Sequence, residues 1–573
     1  MTSAGGTDIS KPDNGPRAGP GCAIMYAAID HRLILRSVMR LSRRTLSVVA
    51  VAAVAVTGTA FALSTVNAAS ADTTADAALV ATLDQVFADP RLAGSTTGMQ
   101  VRDGATGTVI YSHNADQRVI PASNEKLLTS AAALEVLGAS YKFHTVARYS
   151  GKRSGTTVTG NLYLRGQGDP TMTYAQFDAL AAAVAKTGVK KFTGSLVADD
   201  SWFDRVPLGL DWSWQDEPYF DNAPISALTV AADGNYNTGA LSIVDKPGTA
   251  AGKAGVLTVT PANSVVTIVN HTVTGKQGSA NTVTATRAHG SNTITVSGST
   301  PLKPTATHTS LVATQDPTKL AIGVFRDALK RRGVTITGAT TTGTTPSGTT
   351  LLTDHASIPL GQLLPYFLKL SNNGHAELLT KAMGRAKTPG SAGSWTTGLA
   401  ASTGALKQLG VDTSKITMGD GSGLSRRNWL TTGQISALLN AAQTRPWFAT
   451  WYAALPVAGD PNPLVGGTLR SRMVGTPAAG NLHGKTGTLT GVNALSGYVK
   501  DQSGRTLVFS SVSNAAPASV ADILDRAAVA LASSGAAQSA TLMQRKLSNI
   551  EVKPHVVTRD GEEVECSWVP NAC

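Results

Sequence analysis

The pattern of apolar and polar positions divides the 573-residue chain into three parts. In the first part, apolar residues at helical spacing predict a helix near 79–87, and alternation predicts strands over 98–102 and 108–112. From Ser123 onward, apolar residues again recur three and four positions apart until Gly138 ends the run. The predicted order is therefore a helix, two strands and a second helix that starts at Ser123.

The second part, residues 149–345, mixes helices with short strands. Helical spacing predicts an Ala-rich helix over 175–187 and another helix over 317–331. Residues 239–305 consist almost wholly of Thr, Val, Ser and Gly in strand-like runs, and the Thr- and Gly-rich residues 340–350 are typical of a linker. We interpret this part as an insertion of two modules, one of which is a small β domain.

The third part begins after the linker. Helical periodicity returns over 360–368, runs into the polar triplet 371–373 and continues in further helices. Strand-like residues 482–499 then turn back as 506–510, and a last helix is predicted over roughly 517–533. Because helix and strand patterns resume after the insertion, we expect one main domain that is split in two.

A chain of this length has room for several domains and a large buried core. The changes in pattern predict these segments along the chain: a disordered extension over 1–38, a signal peptide over 39–71, the main domain over 76–148 and 346–535, inserted domain II over 149–238 and 306–345, inserted β-rich domain III over 239–305, and a C-terminal tail over 536–573.

The N-terminal region has the features of an export signal. A basic stretch at 39–46 precedes an apolar run over 46–63 and a small-residue cleavage site at 66–68. Met39 is therefore a candidate for the true first residue. The paired arginines that follow it also resemble a twin-arginine signal. The alternative is an uncleaved anchor, because the apolar run is barely long enough to span a membrane.

Charge argues against a nucleic-acid partner. The chain has a net charge of +12, but residues 1–71 contain seven Lys or Arg and three Asp, so +4 of it precedes the predicted mature chain. The remaining charge is spread out, with no basic patch that is interleaved with aromatic residues. A mildly basic exported protein instead suits an anionic cell wall.

Neither the cysteines nor the histidines suggest a bound metal. Cys22 precedes the predicted cleavage site, which leaves Cys566 and Cys573 as either one small disulfide loop or two free thiols. No Cys/His cluster has zinc spacing. We therefore predict no catalytic metal and no cofactor.

Ser123 and Lys126 are the candidate nucleophile and base. Residues three apart share a helix face, and a partly desolvated lysine near other cations can take the proton of a serine hydroxyl. A helix N-terminus also favours a developing oxyanion. The alternative is that Ser123 caps the helix and Lys126 is solvated. No other serine in the chain is followed three residues later by lysine.

Two further short motifs follow in order: Ser371-x-Asn373 and Lys485-Thr486-Gly487. Residues 112–114 also match Ser-x-Asn, and residues 186–188 also match Lys-Thr-Gly, but their positions in the chain distinguish them from the later motifs. Residues 186–188 end a predicted helix, where the glycine acts as a C-cap, whereas the later Lys-Thr-Gly opens a predicted hairpin strand.

With three motifs in this order, the chain resembles the penicillin-recognising serine acyl-transferases. More narrowly, it is similar to D-alanyl-D-alanine carboxypeptidase/endopeptidases of the class C low-molecular-mass penicillin-binding proteins, because Ser371 follows Ser123 by 248 positions, which leaves room for inserted domains. The resemblance covers about 76–535. It implies an α/β (α+β) fold of the penicillin-binding-protein/β-lactamase type, an antiparallel sheet flanked by helices, with two smaller inserted domains.

The resemblance also implies roles for single residues. Ser123 would attack the carbonyl between two D-alanines to form an acyl-enzyme, with Lys126 as base. Ser371 would relay a proton to the leaving amine, and Asn373 would hold the acyl-side amide and Lys126. Lys485 would supply positive field for the terminal carboxylate. Thr486 and Thr488 would be hydroxyl partners, and Gly487 would let its strand approach closely. The backbone N–H groups of Ser123 and Thr488 would form the oxyanion hole.

Other matching stretches have less specific roles. We expect the loops 166–170 and 420–425 to make turns, and His483 to serve packing. The implied partners are peptidoglycan stem peptides ending in D-Ala-D-Ala and β-lactam antibiotics. The protein is therefore expected outside the cytoplasm, either secreted, associated with the cell wall or at most peripheral to the outer face of the membrane.

Three alternatives stay open from the sequence. One is a β-lactamase or esterase on the same fold, although no glutamate begins the Glu-x-x-Leu-Asn loop that a class A β-lactamase needs. The second is a β-lactam sensor or wall-binding protein with slow or no turnover. The third, an adhesive exported protein, would require all three motifs to be accidental.

Overall fold

The structure is a computed structural model that describes residues 74–535 and the backbone of two short paired strands near the C-terminus. The predicted extension, the predicted signal peptide and all three cysteines lie outside the described residues. Over the part of the chain that is described, no helix is long and apolar enough to cross a membrane.

The first segment of the main domain follows the predicted order, with one short strand added before the candidate nucleophile. Its elements are α1 (74–87), β1 (Thr96–Asp103), β2 (Val109–His113), β3 (Arg118–Val119) and α2 (Glu125–Val136). The apolar residues that predicted α1 are buried, and β1 pairs antiparallel with β2, so both predictions are confirmed.

The insertion follows as a mixture of short strands and two helices. Its elements are β4 (His144–Tyr149), β5 (Lys152–Ser154), β6 (Thr157–Thr159), β7 (Leu162–Gly166), α3 (Tyr174–Lys186), β8 (Lys191–Phe192), β9 (Leu196–Asp199), β10 (Ala240–Lys246), β11 (Val256–Thr260), β12 (Thr267–Gly275), β13 (Thr284–Arg287), β14 (Thr293–Pro301), β15 (His308–Ala313), α4 (Pro317–Arg331), β16 (Thr335–Ile336), β17 (Thr340–Thr342) and β18 (Thr350–Ala356).

These strands form small sheets in the orders β17-β9-β7-β4-β18, β16-β8-β6-β5, β11-β10-β15 and β12-β14-β13. The linker interpretation of 340–350 is wrong at its start, because β17 pairs in parallel with β9. All three residues of β17 are exposed threonines, so no alternation of apolar and polar residues marks this edge strand in the sequence. Since β4 pairs with β18, we propose that the insertion is bounded by these two strands.

The second segment of the main domain supplies most of the helices. Its elements are α5 (Leu360–Leu368), α6 (Asn373–Lys387), α7 (Trp395–Gln408), β19 (Leu430–Thr431), α8 (Thr432–Ala442), α9 (Phe448–Ala453), β20 (His483–Leu489), β21 (Val492–Lys500), β22 (Thr506–Asn514) and α10 (Ala521–Ser533), followed by the terminal strands β23 (Thr558–Arg559) and β24 (Glu562–Glu563). The last long helix begins at residue 521 rather than near 517.

One antiparallel sheet, in the order β2-β1-β22-β21-β20, joins the two segments of the main domain. Val508 and Val512 face the core that contains α2 and α5–α8, whereas Leu507 and Phe509 face the core that contains α1 and α10. Alternate residues of a strand point to opposite faces, so helices cover the sheet on both sides. This is the antiparallel sheet flanked by helices that the resemblance implied.

Candidate active site

Ser123 lies in a 3-10 turn, Ala122–Asn124, that leads directly into α2. The turn starts with Ala122 in the left-handed region at φ 48°, and Ser123 is 8% exposed. The sequence placed Ser123 at the start of the helix, and the structure places it just before the first α-helical residue. The hydroxyl therefore lies at the helix N-terminus, where Ser123 lines a cleft.

Lys126 is fully buried beneath Ser123. Its Nζ lies 2.8 Å from Ser123 Oγ, 2.6 Å from Asn373 Oδ1 and 2.7 Å from the Ser422 carbonyl oxygen. Both carbonyl oxygens can only accept hydrogen bonds. A neutral amine that donates its two N–H groups to them turns its lone pair toward the serine hydroxyl, which is the geometry that a general base requires.

The second motif occupies the junction between α5 and α6. Ser371 adopts φ 56°, and its Oγ accepts a hydrogen bond of 2.8 Å from Lys485 Nζ. Asn373 begins α6, where its Oδ1 contacts Lys126 and its Nδ2 donates to the Asp221 carbonyl oxygen at 3.0 Å. The two motif side chains thus connect the two lysines of the site.

The third motif lies on β20, the edge strand of the main sheet. A Cβ placed on Gly487 would lie 2.8 Å from the Pro121 carbonyl oxygen and 3.0 Å from the Ser123 nitrogen. Only glycine lets this strand approach the nucleophile turn so closely. Thr486 Oγ1 lies 2.7 Å from Thr468 Oγ1, so a second hydroxyl stands beside that of the motif.

The structure brings all eight predicted site residues together, six of them on the cleft wall and the two lysines directly beneath it. The cleft is lined by Ser123, Phe220, Asp221, Asn237, Thr238, Leu370, Ser371, Asn372, Asn373, Gly374, Thr468, Thr486, Gly487 and Thr488. Four of these residues, at 220, 221, 237 and 238, come from the insertion. Sequence reasoning missed them and Thr468, because no motif marks them and only the fold brings them to the site.

The loop 420–425 makes a turn, as predicted, and it also contacts the site. Asp420 accepts hydrogen bonds from the Gly423 and Ser425 backbone nitrogens at 2.9 Å and 2.7 Å, which closes the turn. The Ser422 carbonyl oxygen at its tip is the one that contacts Lys126. The loop is therefore part of the environment of the candidate base.

Two histidines near the motifs have surroundings that indicate packing roles. His483 stacks on Tyr452 with ring centroids 4.2 Å apart, and burial lowers its pKa, which supports the packing interpretation. His375 is fully buried, its Nε2 lies 2.9 Å from the Tyr236 carbonyl oxygen, and burial lowers its pKa to about 4. A neutral His375 therefore donates to that carbonyl and braces α6 against the insertion.

Within the described residues, no group of three or more His, Cys, Asp or Glu side chains could hold a metal ion. The polar groups that converge on the cleft are hydroxyls, an amide and two ammonium or amine groups. This set suits nucleophilic acyl transfer with a lysine base.

Replacing Gly487 tests the close approach of β20. Gly487→Ala is expected to slow acylation by a penicillin by about 10- to 100-fold, because the added Cβ displaces the strand from the Ser123 turn. Stopped-flow or gel-based labelling measures the rate. Gly404→Ala is the control, since its Cβ would meet nothing within 4 Å in helix α7. Wild-type labelling by Gly487→Ala would contradict the need for this close approach.

The chain is similar to one known family and to several known proteins. The sequence model of the D-Ala-D-Ala carboxypeptidase 3 (S13) family matches residues 79–534. A D-alanyl-D-alanine carboxypeptidase from Actinomadura sp. (strain R39) is 42% identical over 498 residues, which cover 86% of this chain and 89% of that protein. The D-alanyl-D-alanine carboxypeptidase DacB of Haemophilus influenzae is 27% identical over 73% of this chain and 85% of its own length.

Solved structures show the same fold. The crystal structure of penicillin binding protein 4 (dacB) from Haemophilus influenzae superposes with a TM-score of 0.66 at 24% identity and covers 78% of this chain and 97% of that chain. The same protein complexed with a novel β-lactam gives a TM-score of 0.60 at 23% identity, over 82% of this chain and 98% of that one. The predicted fold class is therefore confirmed.

Proposed function

Because the chain belongs to the D-Ala-D-Ala carboxypeptidase 3 (S13) family and is thus a serine-type D-Ala-D-Ala carboxypeptidase, we propose that Ser123 is its nucleophile and Lys126 its general base. The observation that carries the proposal is the position of Lys126 Nζ, 2.8 Å from Ser123 Oγ and within hydrogen-bond distance of two carbonyl oxygens. The substrates are peptidoglycan stem peptides that end in D-Ala-D-Ala.

In the first half of the reaction, Ser123 Oγ attacks the carbonyl carbon of the penultimate D-Ala, and its proton passes to Lys126 Nζ. The backbone N–H groups of Ser123 and Thr488 stabilise the oxyanion of the tetrahedral intermediate, where loss of one donor typically costs about 3 kcal/mol. The C–N bond then breaks, and the leaving amine of the terminal D-Ala takes a proton through the Ser371 hydroxyl.

Lys485 serves the leaving-group side of the cleft. Its hydrogen bond to Ser371 Oγ supports the proton relay, and its charge favours the terminal carboxylate of the substrate. Thr486 and Thr488 supply hydroxyls to that carboxylate, with Thr468 beside Thr486. In the second half, water attacks the acyl ester, the C–O bond breaks, and Ser123 regains its proton.

We propose that β-lactams acylate the same serine, and that their acyl-enzyme is hydrolysed slowly. The solved complex of the Haemophilus influenzae relative with a β-lactam supports the binding of a β-lactam by this chain. Since the substrate lies in the cell wall, the protein would act outside the cytoplasm, and the predicted signal peptide over 39–71 agrees with that location.

Release of D-Ala by the full-length chain tests the proposed activity. A peptide ending in D-Ala-D-Ala is expected to lose its terminal residue, and the same peptide with a C-terminal amide should react more slowly because it lacks the carboxylate that Lys485 attracts. Prior incubation with benzylpenicillin should abolish release. Folded protein that takes up penicillin but releases no D-Ala would instead support a sensor without turnover.

A further inference from the structure

The loop 420–425 is fitted tightly against the nucleophile segment. Thr129 Oγ1 donates to the Gly421 carbonyl oxygen at 2.7 Å, one turn of α2 beyond the Lys126 contact. A Cβ on Gly423, which has φ 91°, would lie only 1.9 Å from the Ala122 carbonyl oxygen. The carbonyl groups of the loop tip therefore point at α2, and the backbone at Gly423 contacts the residue before Ser123.

The N–H groups of the same loop are held from the opposite side by buried carboxyls. Glu377 of α6 is fully buried, and its oxygens accept from the Ser422 nitrogen at 2.8 Å and the Gly421 nitrogen at 3.0 Å. Asp420 accepts from the Gly423 nitrogen at 2.9 Å. Because that nitrogen belongs to the same peptide unit as the Ser422 carbonyl, Asp420 holds the unit that contacts Lys126, and Glu377 holds the two amides that precede it.

We propose that Glu377 is a positioning residue for the acylation step: it orients the loop 420–425 so that the Ser422 carbonyl holds Lys126 Nζ with its lone pair toward Ser123. This inference rests on the proposed roles of Ser123 and Lys126. Glu377 itself does not contact the nucleophile; it holds the backbone nitrogens of Gly421 and Ser422, and the Ser422 carbonyl that follows them contacts Lys126.

Glu377 must be ionised to accept all of the hydrogen bonds that its neighbours donate. Three N–H donors converge on it, since the Trp395 indole nitrogen donates at 2.7 Å in addition to the two loop amides. An ionised carboxylate is an acceptor only, whereas a protonated carboxyl carries an O–H that competes with one of the donors. Protonation of Glu377 would therefore loosen the loop that holds Lys126.

The surroundings of Glu377 shift its protonation upward, toward neutral pH. Burial and the charge of Asp420 raise the pKa of Glu377 to about 7. Glu125 of α2 and Lys381 of its own helix also interact electrostatically with Glu377, and Lys126 in turn interacts with Glu125. Burial raises the pKa of Glu125 well above its usual range, and none of the described residues hydrogen-bonds its carboxyl oxygens, so this environment favours the neutral acid.

The raised pKa of Glu377 predicts how the acylation rate changes with pH. A raised pKa means that Glu377 takes up its proton as pH falls through about 7, so the rate constant of acylation should fall there while noncovalent penicillin binding does not. This fall in the acylation rate constant should be measurable in the wild-type protein.

Kinetics of acylation by a chromogenic penicillin, from about pH 5.5 to 8.5, test the inference with wild type and Glu377→Gln. The variant keeps the size of the side chain but points an N–H₂ group at the loop donors. Its acylation rate constant is expected to fall about 100-fold at about pH 8, with the noncovalent dissociation constant unchanged and the step near pH 7 lost.

Glu135→Gln is the matched control, because Glu135 on α2 also accepts from an indole nitrogen, that of Trp447 at 2.7 Å, but lies outside the site. It should keep the wild-type rate and pH profile. A folded Glu377→Gln variant with the wild-type rate, or with a lower rate and an unchanged profile, would overturn the inference. If Ser123→Ala abolishes labelling of the protein, the proposed function stands whichever result Glu377→Gln gives.

Discussion

Ser123→Ala is expected to abolish covalent labelling by fluorescent penicillin and to lower D-Ala release by about 10⁴-fold or more. The variant lacks the oxygen that forms the acyl bond, which in the wild-type protein lies 2.8 Å from Lys126 Nζ. Lys126 remains held by Asn373 and the Ser422 carbonyl, so the cleft keeps its shape.

Two measurements accompany this variant. Thermal unfolding should show a stability close to wild type, because removal of one hydroxyl leaves no large cavity. A noncovalent ligand displacement assay should still detect penicillin, since Lys485 and the threonines of β20 are intact. Covalent labelling of folded Ser123→Ala at the wild-type rate would show that another residue is the nucleophile.

Lys126→Met is expected to slow acylation by about 100- to 10,000-fold, the usual range for loss of a general base. Methionine fills much of the lysine volume but has no nitrogen to accept the Ser123 proton. It also leaves two carbonyl oxygens without their donor, at Asn373 and Ser422, which adds a cost of about 1–3 kcal/mol for each buried group.

The matched control for this effect is Lys381→Met. Lys381 is likewise fully buried, lies on α6 and donates to Asp204 and to the Val206 carbonyl oxygen, away from the nucleophile. Both variants should lose stability. Because Lys381 also faces Glu377, Lys381→Met should lower the acylation rate constant of folded protein far less than Lys126→Met, which removes the base itself. Equal loss of that rate constant in the two variants would contradict the role of Lys126 as base.

The sequence predicted the parts of the site that depend on local spacing. Ser123 and Lys126 meet because one helical turn separates them, and the strand of Lys485 was recognisable as one arm of a hairpin. The three motifs also placed Ser371 and Asn373 at the junction of two helices, where the structure has them. Short motifs with local geometry can therefore be interpreted without a structure.

The sequence did not reveal contacts that join distant segments. Glu377 resembles any polar position of an amphipathic helix, and only the fold brings it to the amides of residues 421 and 422. Asp221 enters the site through its backbone carbonyl, which no side-chain pattern can mark. Thr468 reaches Thr486 from a three-residue 3-10 helix, Gly467–Leu469, which is too short to produce a periodic pattern in the sequence.

The most direct test of the role of Ser123 is mass spectrometry of the full-length protein after reaction with benzylpenicillin, followed by proteolysis and mapping of the adduct. We predict one penicilloyl group, attached to the peptide that contains Ser123 and localised to that residue by fragmentation. A penicilloyl group on any other residue, or no adduct on protein shown to be folded, would contradict that role.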